Sequence, residues 1–186
     1  GKTTVSRMFE QQGCAVHNSD MIVRAALSPD GEAFEHVALA FPEAWDKKKH
    51  IIRRDILADI VFNDDEAREK LENILHPIVR ADQKKFITTQ KRLGKKFVVL
   101  DIPLLFETGA EARVDYTVVV STPYALQRRR VLARAGMTEE KFVAILKTQM
   151  SDVEKQKHAD FIVQTGLGLA HSYRQVSQIL EEIKEG

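Results

Sequence analysis

The chain has 186 residues, and its 28 basic and 27 acidic side chains leave a formal net charge of +1. A composition of 44% hydrophobic and 30% charged residues is typical of a globular domain with a real core, and it excludes intrinsic disorder and collagen-like repetition. The near-neutral charge argues against a general electrostatic grip on nucleic acid. Any anion site must therefore be local.

Two further absences in the sequence limit the cellular setting. No stretch approaches the roughly 18 uninterrupted apolar residues that a membrane span needs, and no charged-then-apolar leader opens the chain. The single cysteine, Cys14, lies in an apolar run and cannot form an internal disulfide. We therefore expect a protein of the reducing cytoplasm that binds neither a membrane nor structural zinc.

The first half of the chain is predicted to be mostly helical around one short strand. Helical spacing predicts a helix over 3–11, and the apolar run 14–17 predicts a strand that turns at residues 18–20. Apolar residues then recur at helical spacing over 34–41, 55–62 and 71–78. Because Pro77 lacks an amide proton, we expect a break at His76 and a new helix from Pro77 to about Lys91.

The second half alternates apolar runs with helical patterns. The runs 97–100, 114–120 and 161–163 are apolar on both faces, as in the strands of a buried parallel sheet. Helical patterns follow at 124–133, 138–150 and 169–183. Strands separated by helices predict an α/β fold with a parallel sheet, and Asp101 comes at the carboxyl end of one strand.

The opening residues Gly1, Lys2, Thr3 and Thr4 match the last part of the phosphate loop G-x-x-x-x-G-K-[ST]. In that loop backbone amides cradle phosphates, the lysine reaches the β and γ groups, and the hydroxyl binds Mg²⁺. Such a short match is weak by itself. If the interpretation holds, a strand and a glycine-rich loop of on the order of ten residues come before Gly1.

The remaining motifs resemble, in chain order, those of dephospho-coenzyme A kinase, a P-loop kinase family of the nucleotide-kinase type. The most specific is the run V-L-D-I-P-L-L-F-E at 99–107. The others, after the opening G-K-T-T, are V-H-N-S-D at 16–20, L-H-P-I-V-R at 75–80, Val114 with Asp115, Gln127, Arg130, Arg134, Gly136 and Met137, Gln149, and A-D-F at 159–161.

The resemblance covers nearly the whole chain and implies a domain organisation. It implies a P-loop NTPase-type parallel sheet flanked by helices, whose nucleotide-binding core comprises residues 1–23, 95–126 and 153–186. Residues 24–94 would form a helical dephospho-coenzyme A-binding insertion. Residues 127–152 would form a helical lid, and the protein would be a monomer or a weak homo-oligomer.

The reaction implied is transfer of the ATP γ-phosphoryl group to the ribose 3′-hydroxyl of dephospho-coenzyme A, which gives coenzyme A and ADP in the last step of coenzyme A biosynthesis. Gly1, Lys2, Thr3 and Thr4 would bind the ATP phosphates, with Lys2 also catalytic. The hydroxyl of Thr3 would hold Mg²⁺, and Asp101 would serve the metal or the substrate.

Other residues would act on the acceptor and on the transferring phosphate. Asp20 would orient the attacking hydroxyl and accept its proton, as catalytic base. Substrate binding would also use a set of three side chains, which are His76, Arg80 and Leu104. Arg130 and Arg134, four residues apart, would close over the phosphates, with Arg134 catalytic.

Simpler interpretations remain open for several of these residues. Asp20 would serve equally well as a helix cap, and His76 as a helix-end residue bonded to a carbonyl. The arginines at 128–130 and 134 are also typical of a solvated helix face, as is the basic run 47–54.

The sequence departs from the family pattern at three positions. Asn18 stands where the family usually has aspartate, Ser151 where it often has proline, and Gln164 where it usually has aspartate. The alternative functions are therefore another small-molecule or nucleoside monophosphate kinase, or a catalytically impaired P-loop homologue that acts as a binding protein.

Overall fold

The computed structural model describes residues 1–185 and divides into two compact units. The terminal unit combines the first 16 residues with the chain from Pro103 onward, and the middle unit is His17–Ile102. The helices are α1 (Lys2–Gln11), α2 (Ser19–Ala26), α3 (Phe34–Ala40), α4 (Arg54–Asn63), α5 (Asp65–Arg92), α6 (Tyr124–Leu132), α7 (Glu139–Thr148), α8 (Asp152–His158) and α9 (Leu169–Glu185). The strands are β1 (Ala15–Asn18), β2 (Trp45–Asp46), β3 (Ile51–Ile52), β4 (Val98–Asp101), β5 (Val118–Ser121) and β6 (Phe161–Gln164).

A parallel strand pair organises the terminal unit. Strands β5 and β6 run parallel in a register from Val118 opposite Phe161 to Ser121 opposite Gln164, and α9 packs against both β6 and α1. The stripe that the sequence predicts on α9 is buried at Val176. Strands paired in parallel and connected through helices confirm the predicted α/β fold class.

A side chain at the start of β6 fixes this register. The amide and hydroxyl of Thr117 both donate to Oδ2 of Asp160, at 2.7 and 2.8 Å, and the Asp160 amide donates to the Thr117 hydroxyl at 3.0 Å. The strand predicted over 114–120 therefore begins later than expected, because regular pairing starts only after this contact. The Thr117 hydrogen bonds hold the pKa of Asp160 below its ordinary value.

The middle unit is built around the long helix α5. Helices α2, α3 and α4 pack against it, and their apolar faces share one core cluster in which Ala33, Val37 and Ala44 are fully buried. The short strands β2 and β3 form an antiparallel hairpin beside α3. Strands β1 and β4 pair with each other in a separate sheet.

The predicted helix break at His76 is wrong, because α5 continues through Pro77 to Arg92. Proline deprives a helix of one hydrogen bond and crowds the carbonyl four residues earlier, which disfavours it in the interior. Here the apolar residues on both sides of the proline, Leu75 and Ile78, pack on the same core cluster. Tertiary packing therefore keeps the helix continuous at a proline, where the local sequence predicts that it ends.

The caps of the later helices explain one of the sequence departures. Thr138 caps α7 as the sequence predicts, since its hydroxyl accepts a hydrogen bond from the Lys141 amide. Ser151 caps α8 in a full capping box with Glu154, in which each side chain bonds the other residue's backbone amide. A proline at position 151 could not supply either group, so the serine has a structural use here.

Within residues 1–185, no helix is both long enough and apolar enough to cross a bilayer.

Replacement of Pro77 by alanine should stabilise the protein. Alanine restores the missing hydrogen bond and removes the ring, so we expect the free energy of unfolding to rise by about 1–3 kcal/mol, less a few tenths for the more flexible unfolded chain. Urea denaturation measures this. Pro42 is the matched control because it opens a short 3₁₀ helix, where proline fits; Pro42→Ala should give no gain, and an equal gain in both variants would contradict the explanation.

Candidate active site

The start of α1 presents an anion-binding helix terminus. Gly1 is the N-cap residue, its carbonyl accepts from the amides of Thr4 and Val5, and α1 has no acidic residue in its first turn. Lys2, Thr3 and Thr4 are exposed in that turn. A helix N-terminus carries partial positive charge and directs amides outward, so this end of α1 suits a phosphate.

Gly1 lies against the ends of the two parallel strands. A methyl group added at its Cα would lie 2.9 Å from the Thr165 hydroxyl and 3.1 Å from Cγ1 of Val120. Val120 belongs to β5, and Thr165 directly follows β6. Only glycine therefore lets the chain enter α1 this close to the sheet.

Arg130 reaches the same point from α6. Its guanidinium donates to the Thr165 carbonyl at 3.1 Å and to the Thr165 hydroxyl at 3.4 Å. The Thr165 hydroxyl in turn donates to the Ser121 carbonyl at 3.0 Å. Sequence reasoning missed Thr165, because nothing in its local sequence indicates that three elements meet at its side chain.

Positive charges gather around Gly1. The side-chain charges of Arg130, Arg134 and Lys2 all lie near enough to the Gly1 nitrogen to act on it electrostatically. The structure thus brings together the two arginines and the lysine that the sequence assigns to the phosphates. Three cations beside a helix N-terminus form a site of strong positive potential.

The four arginines of this segment have different surroundings. Helix α6 ends at Leu132, so Arg134 lies in the turn after the helix, and the expectation that it stands one helical turn from Arg130 is wrong. Arg128 is engaged elsewhere: its Nε donates to the Glu139 carboxylate at 2.8 Å, which joins α6 to α7. That hydrogen bond raises the pKa of Arg128.

In the middle unit, Asp20 is exposed in the first turn of α2, immediately after β1. The helix cap is Asn18, whose side-chain oxygen accepts from the Met21 amide at 3.2 Å. The alternative in which Asp20 caps the helix is therefore wrong. Asn18, the departure from the family pattern, carries out the capping.

His76 and Arg80 both belong to α5, four residues apart, with His76 half-buried and Arg80 exposed. This arrangement excludes the alternative that His76 ends a helix. Residues at this spacing lie on one helix face. Asp101 is the last residue of β4 and is 6% exposed.

The loop after β4 contains Leu104 in an unusual backbone conformation. Its φ of 55° is left-handed, which costs a non-glycine residue about 1–2 kcal/mol. The Thr108 amide and hydroxyl both donate to the Leu104 carbonyl, at 3.1 and 2.9 Å, and hold the loop in this shape. Maintained strain of this kind is common at functional sites.

Glu107 fastens the same loop to the start of α8. Its carboxylate accepts from the Met150 amide at 3.0 Å and from Nζ of Lys155 at 2.8 Å. Burial acts to raise the pKa of Glu107, but the Lys155 and Met150 hydrogen bonds outweigh it and the pKa lies below the ordinary value. The sequence placed Glu107 only within a motif; its structural role depends on partners more than 40 residues away.

The residues assigned to a metal supply only oxygen atoms. Thr3 offers a hydroxyl in the first turn of α1, and Asp101 offers a carboxylate. Among residues 1–185, no group of three or more His, Cys, Asp or Glu side chains could hold a metal ion. Mg²⁺ binds through few protein oxygens, with water and substrate phosphates completing its shell, so oxygen donors of this kind are chemically suited to Mg²⁺.

Comparison with known proteins gives one consistent family. A family model described as dephospho-CoA kinase matches residues 1–170. The dephospho-CoA kinase of Mesorhizobium japonicum is 45% identical over 184 residues, which cover 99% of this chain and 91% of that protein. The dephospho-CoA kinase of Rhizobium etli is 44% identical over 184 residues, with coverages of 99% and 89%.

Solved structures agree. The Thermus thermophilus protein TT1252 superposes with a TM-score of 0.82 at 33% identity, covering 98% of this chain and 91% of that one. Dephospho-CoA kinase from Campylobacter jejuni gives a TM-score of 0.69 at 31% identity, with coverages of 100% and 92%. On the sequence match, the shared fold and the cationic terminus of α1, the chain belongs to the dephospho-CoA kinase family.

Proposed function

We propose that this chain transfers the γ-phosphoryl group of ATP to the ribose 3′-hydroxyl of dephospho-coenzyme A. The observation that carries the proposal is the site at Gly1, where Lys2, Arg130 and Arg134 surround a helix N-terminus. Phosphoryl transfer is mostly a matter of positioning and charge stabilisation, and this site offers both. We place the reaction in the cytoplasm, with a monomer or a weak homo-oligomer as the working form.

The donor half of the mechanism uses the terminal unit. The α1 amides and Lys2 bind the β and γ phosphates, and their charge favours the negative charge of the transition state over that of the ground state. Thr3 would hold Mg²⁺, and the ion would neutralise phosphate charge. Asp101, in the middle unit, would serve the metal or the substrate. Arg130 and Arg134 belong to the proposed lid at 127–152, which closes over the phosphates and excludes water.

The acceptor half uses the middle unit. Asp20 orients the 3′-hydroxyl and accepts its proton, which leaves the oxygen free to attack the γ-phosphorus while ADP departs. The exposure of Asp20 and the capping role of Asn18 support this, because the carboxylate is not needed by the helix. His76 and Arg80 bind the acceptor's phosphates from the proposed insertion at 24–94. Leu104, which belongs to the terminal unit, would supply an apolar contact to the acceptor.

The choice of acceptor tests the proposed function directly. ADP release should rise well above background with dephospho-coenzyme A and should stay near background with adenosine or uridine monophosphate. The measurement is a coupled ADP assay at saturating MgATP. Turnover with either monophosphate and none with dephospho-coenzyme A would contradict the proposed acceptor.

Replacement of Asp20 by asparagine tests the base. Asparagine keeps the size of the side chain but cannot accept the proton, so kcat should fall by about 10²–10⁴-fold while the affinity for ATP is unchanged. Glu181→Gln is the matched control, since Glu181 is also an exposed carboxylate and lies on α9, outside the proposed insertion and lid. A rate in Asp20→Asn equal to that in the control would remove Asp20 from this role.

Replacement of Arg130 by alanine tests the donor site. The two hydrogen bonds to Thr165 hold the Arg130 charge beside the N-terminus of α1. Loss of that charge should raise the KM for ATP by about 10–100-fold and lower kcat as well. Arg129→Ala is the control, because Arg129 is an exposed neighbour on the same helix. Equal kinetics in the two variants would show that general surface charge, and not the Arg130 contact, attracts the nucleotide.

A further inference from the structure

Two consecutive polar residues of α5 bind the segment that carries Asp20. Nε2 of His17 lies 2.8 Å from the Asp82 carboxylate, and the Gln83 amide donates to the Ser19 hydroxyl at 3.1 Å. His17, Ser19 and Gln83 are 3%, 4% and 3% exposed. Buried polar contacts of this kind are costly to break, so they fix the position of one segment on another.

The protonation of His17 follows from its surroundings. Nδ1 is buried and has no hydrogen-bond partner within residues 1–185. A proton on that nitrogen would leave a buried donor unsatisfied, whereas a bare lone pair costs less. The tautomer that donates Nε2–H to Asp82 is therefore the one that fits these contacts.

An aromatic contact also fixes the orientation of the His17 ring. Phe86 meets it edge-on, with ring centroids 5.3 Å apart and the planes at 63°. Asp82 and Phe86 are four residues apart on α5, so both contacts come from one face of that helix. The ring is thus fixed in position by the carboxylate and in orientation by the aromatic side chain.

Side chains alternate in direction from His17 to Asp20, and this alternation connects the contact with α5 to the proposed base. His17 and Ser19 are directed into the contact with α5, whereas Asn18 caps α2 and Asp20 is exposed. A shift of His17 therefore moves the backbone three residues before Asp20. The same helix α5 carries His76 and Arg80, the proposed acceptor-binding residues.

We propose that Asp82 and His17 are positioning residues that hold Asp20 at a fixed place relative to the acceptor-binding face of α5. The inference rests on the proposed function, since it assigns to a buried pair the alignment of the base with the acceptor. Misplacement of a reacting group by about 1 Å is enough to cost about a hundredfold in rate. Neither residue touches the substrate.

The test compares Asp82→Ala with Asp82→Asn in steady-state kinetics with MgATP and dephospho-coenzyme A. Alanine removes the acceptor of the His17 hydrogen bond, so kcat should fall by about 10–100-fold while the KM for ATP stays within about twofold. Asparagine keeps an oxygen at the same place and should restore most of the rate. Glu181→Ala, an exposed site on α9 outside the proposed insertion, should match the unmodified chain. Unchanged kcat in Asp82→Ala overturns the proposal.

A second set of variants changes His17 instead of Asp82. His17→Gln can still donate to Asp82 and should keep a higher kcat than His17→Leu, which cannot. Thermal melting of each variant identifies any that fails to fold. Equal kcat in two folded His17 variants overturns the proposal.

A double-mutant cycle separates positioning from general stability. If the pair acts through Asp20, Asp82→Ala should cause less than about a threefold further loss in the Asp20→Asn background. The same loss in both backgrounds overturns this inference and leaves the proposed function standing. No turnover in the unmodified chain, or full activity in Asp20→Asn, overturns the proposed role of Asp20 and this inference with it.

Discussion

The close contact between Gly1 and Thr165 is the constraint on which the terminal unit depends. It lets α1 begin directly against the ends of β5 and β6, where an added methyl group would collide with the Thr165 hydroxyl. Arg130 binds the same threonine through its carbonyl and hydroxyl. One small residue therefore sets the distance between a helix N-terminus and an arginine. The positive potential of the site follows from that distance, because Coulomb interactions weaken as charges separate.

In the middle unit, two kinds of interaction hold the turn that carries the exposed carboxylate of Asp20. Apolar packing supplies most of its stability, through the cluster that α2, α3 and α4 share with α5. Packing alone is adaptable and tolerates small shifts. The buried contacts of His17 and Ser19 with α5 are directional, and they specify one arrangement of the turn. Stability and position thus come from different interactions in this unit.

Sequence reasoning was most successful where a property is local. Strands, helical stripes and the Thr138 cap all depend on neighbouring residues, and the structure contains each of these features. It was wrong at Pro77, where packing on both sides of the proline overrides the local rule. It missed the contacts of Thr165 and Glu107, whose hydrogen-bond partners are 35 to 48 residues away along the chain. Those pairings depend on the fold as a whole, and one sequence does not contain that information in readable form.

The division into units gives the family motifs a physical meaning. The chain passes from the terminal to the middle unit between Val16 and His17, and returns between Ile102 and Pro103. Both crossings lie inside motifs, V-H-N-S-D and V-L-D-I-P-L-L-F-E. The residues beside these two crossings have unusual surroundings. Here they include a buried histidine, a buried aspartate and a leucine with left-handed backbone. A buried polar side chain thus lies within two residues of each crossing, and the strained backbone of Leu104 lies beside the second one.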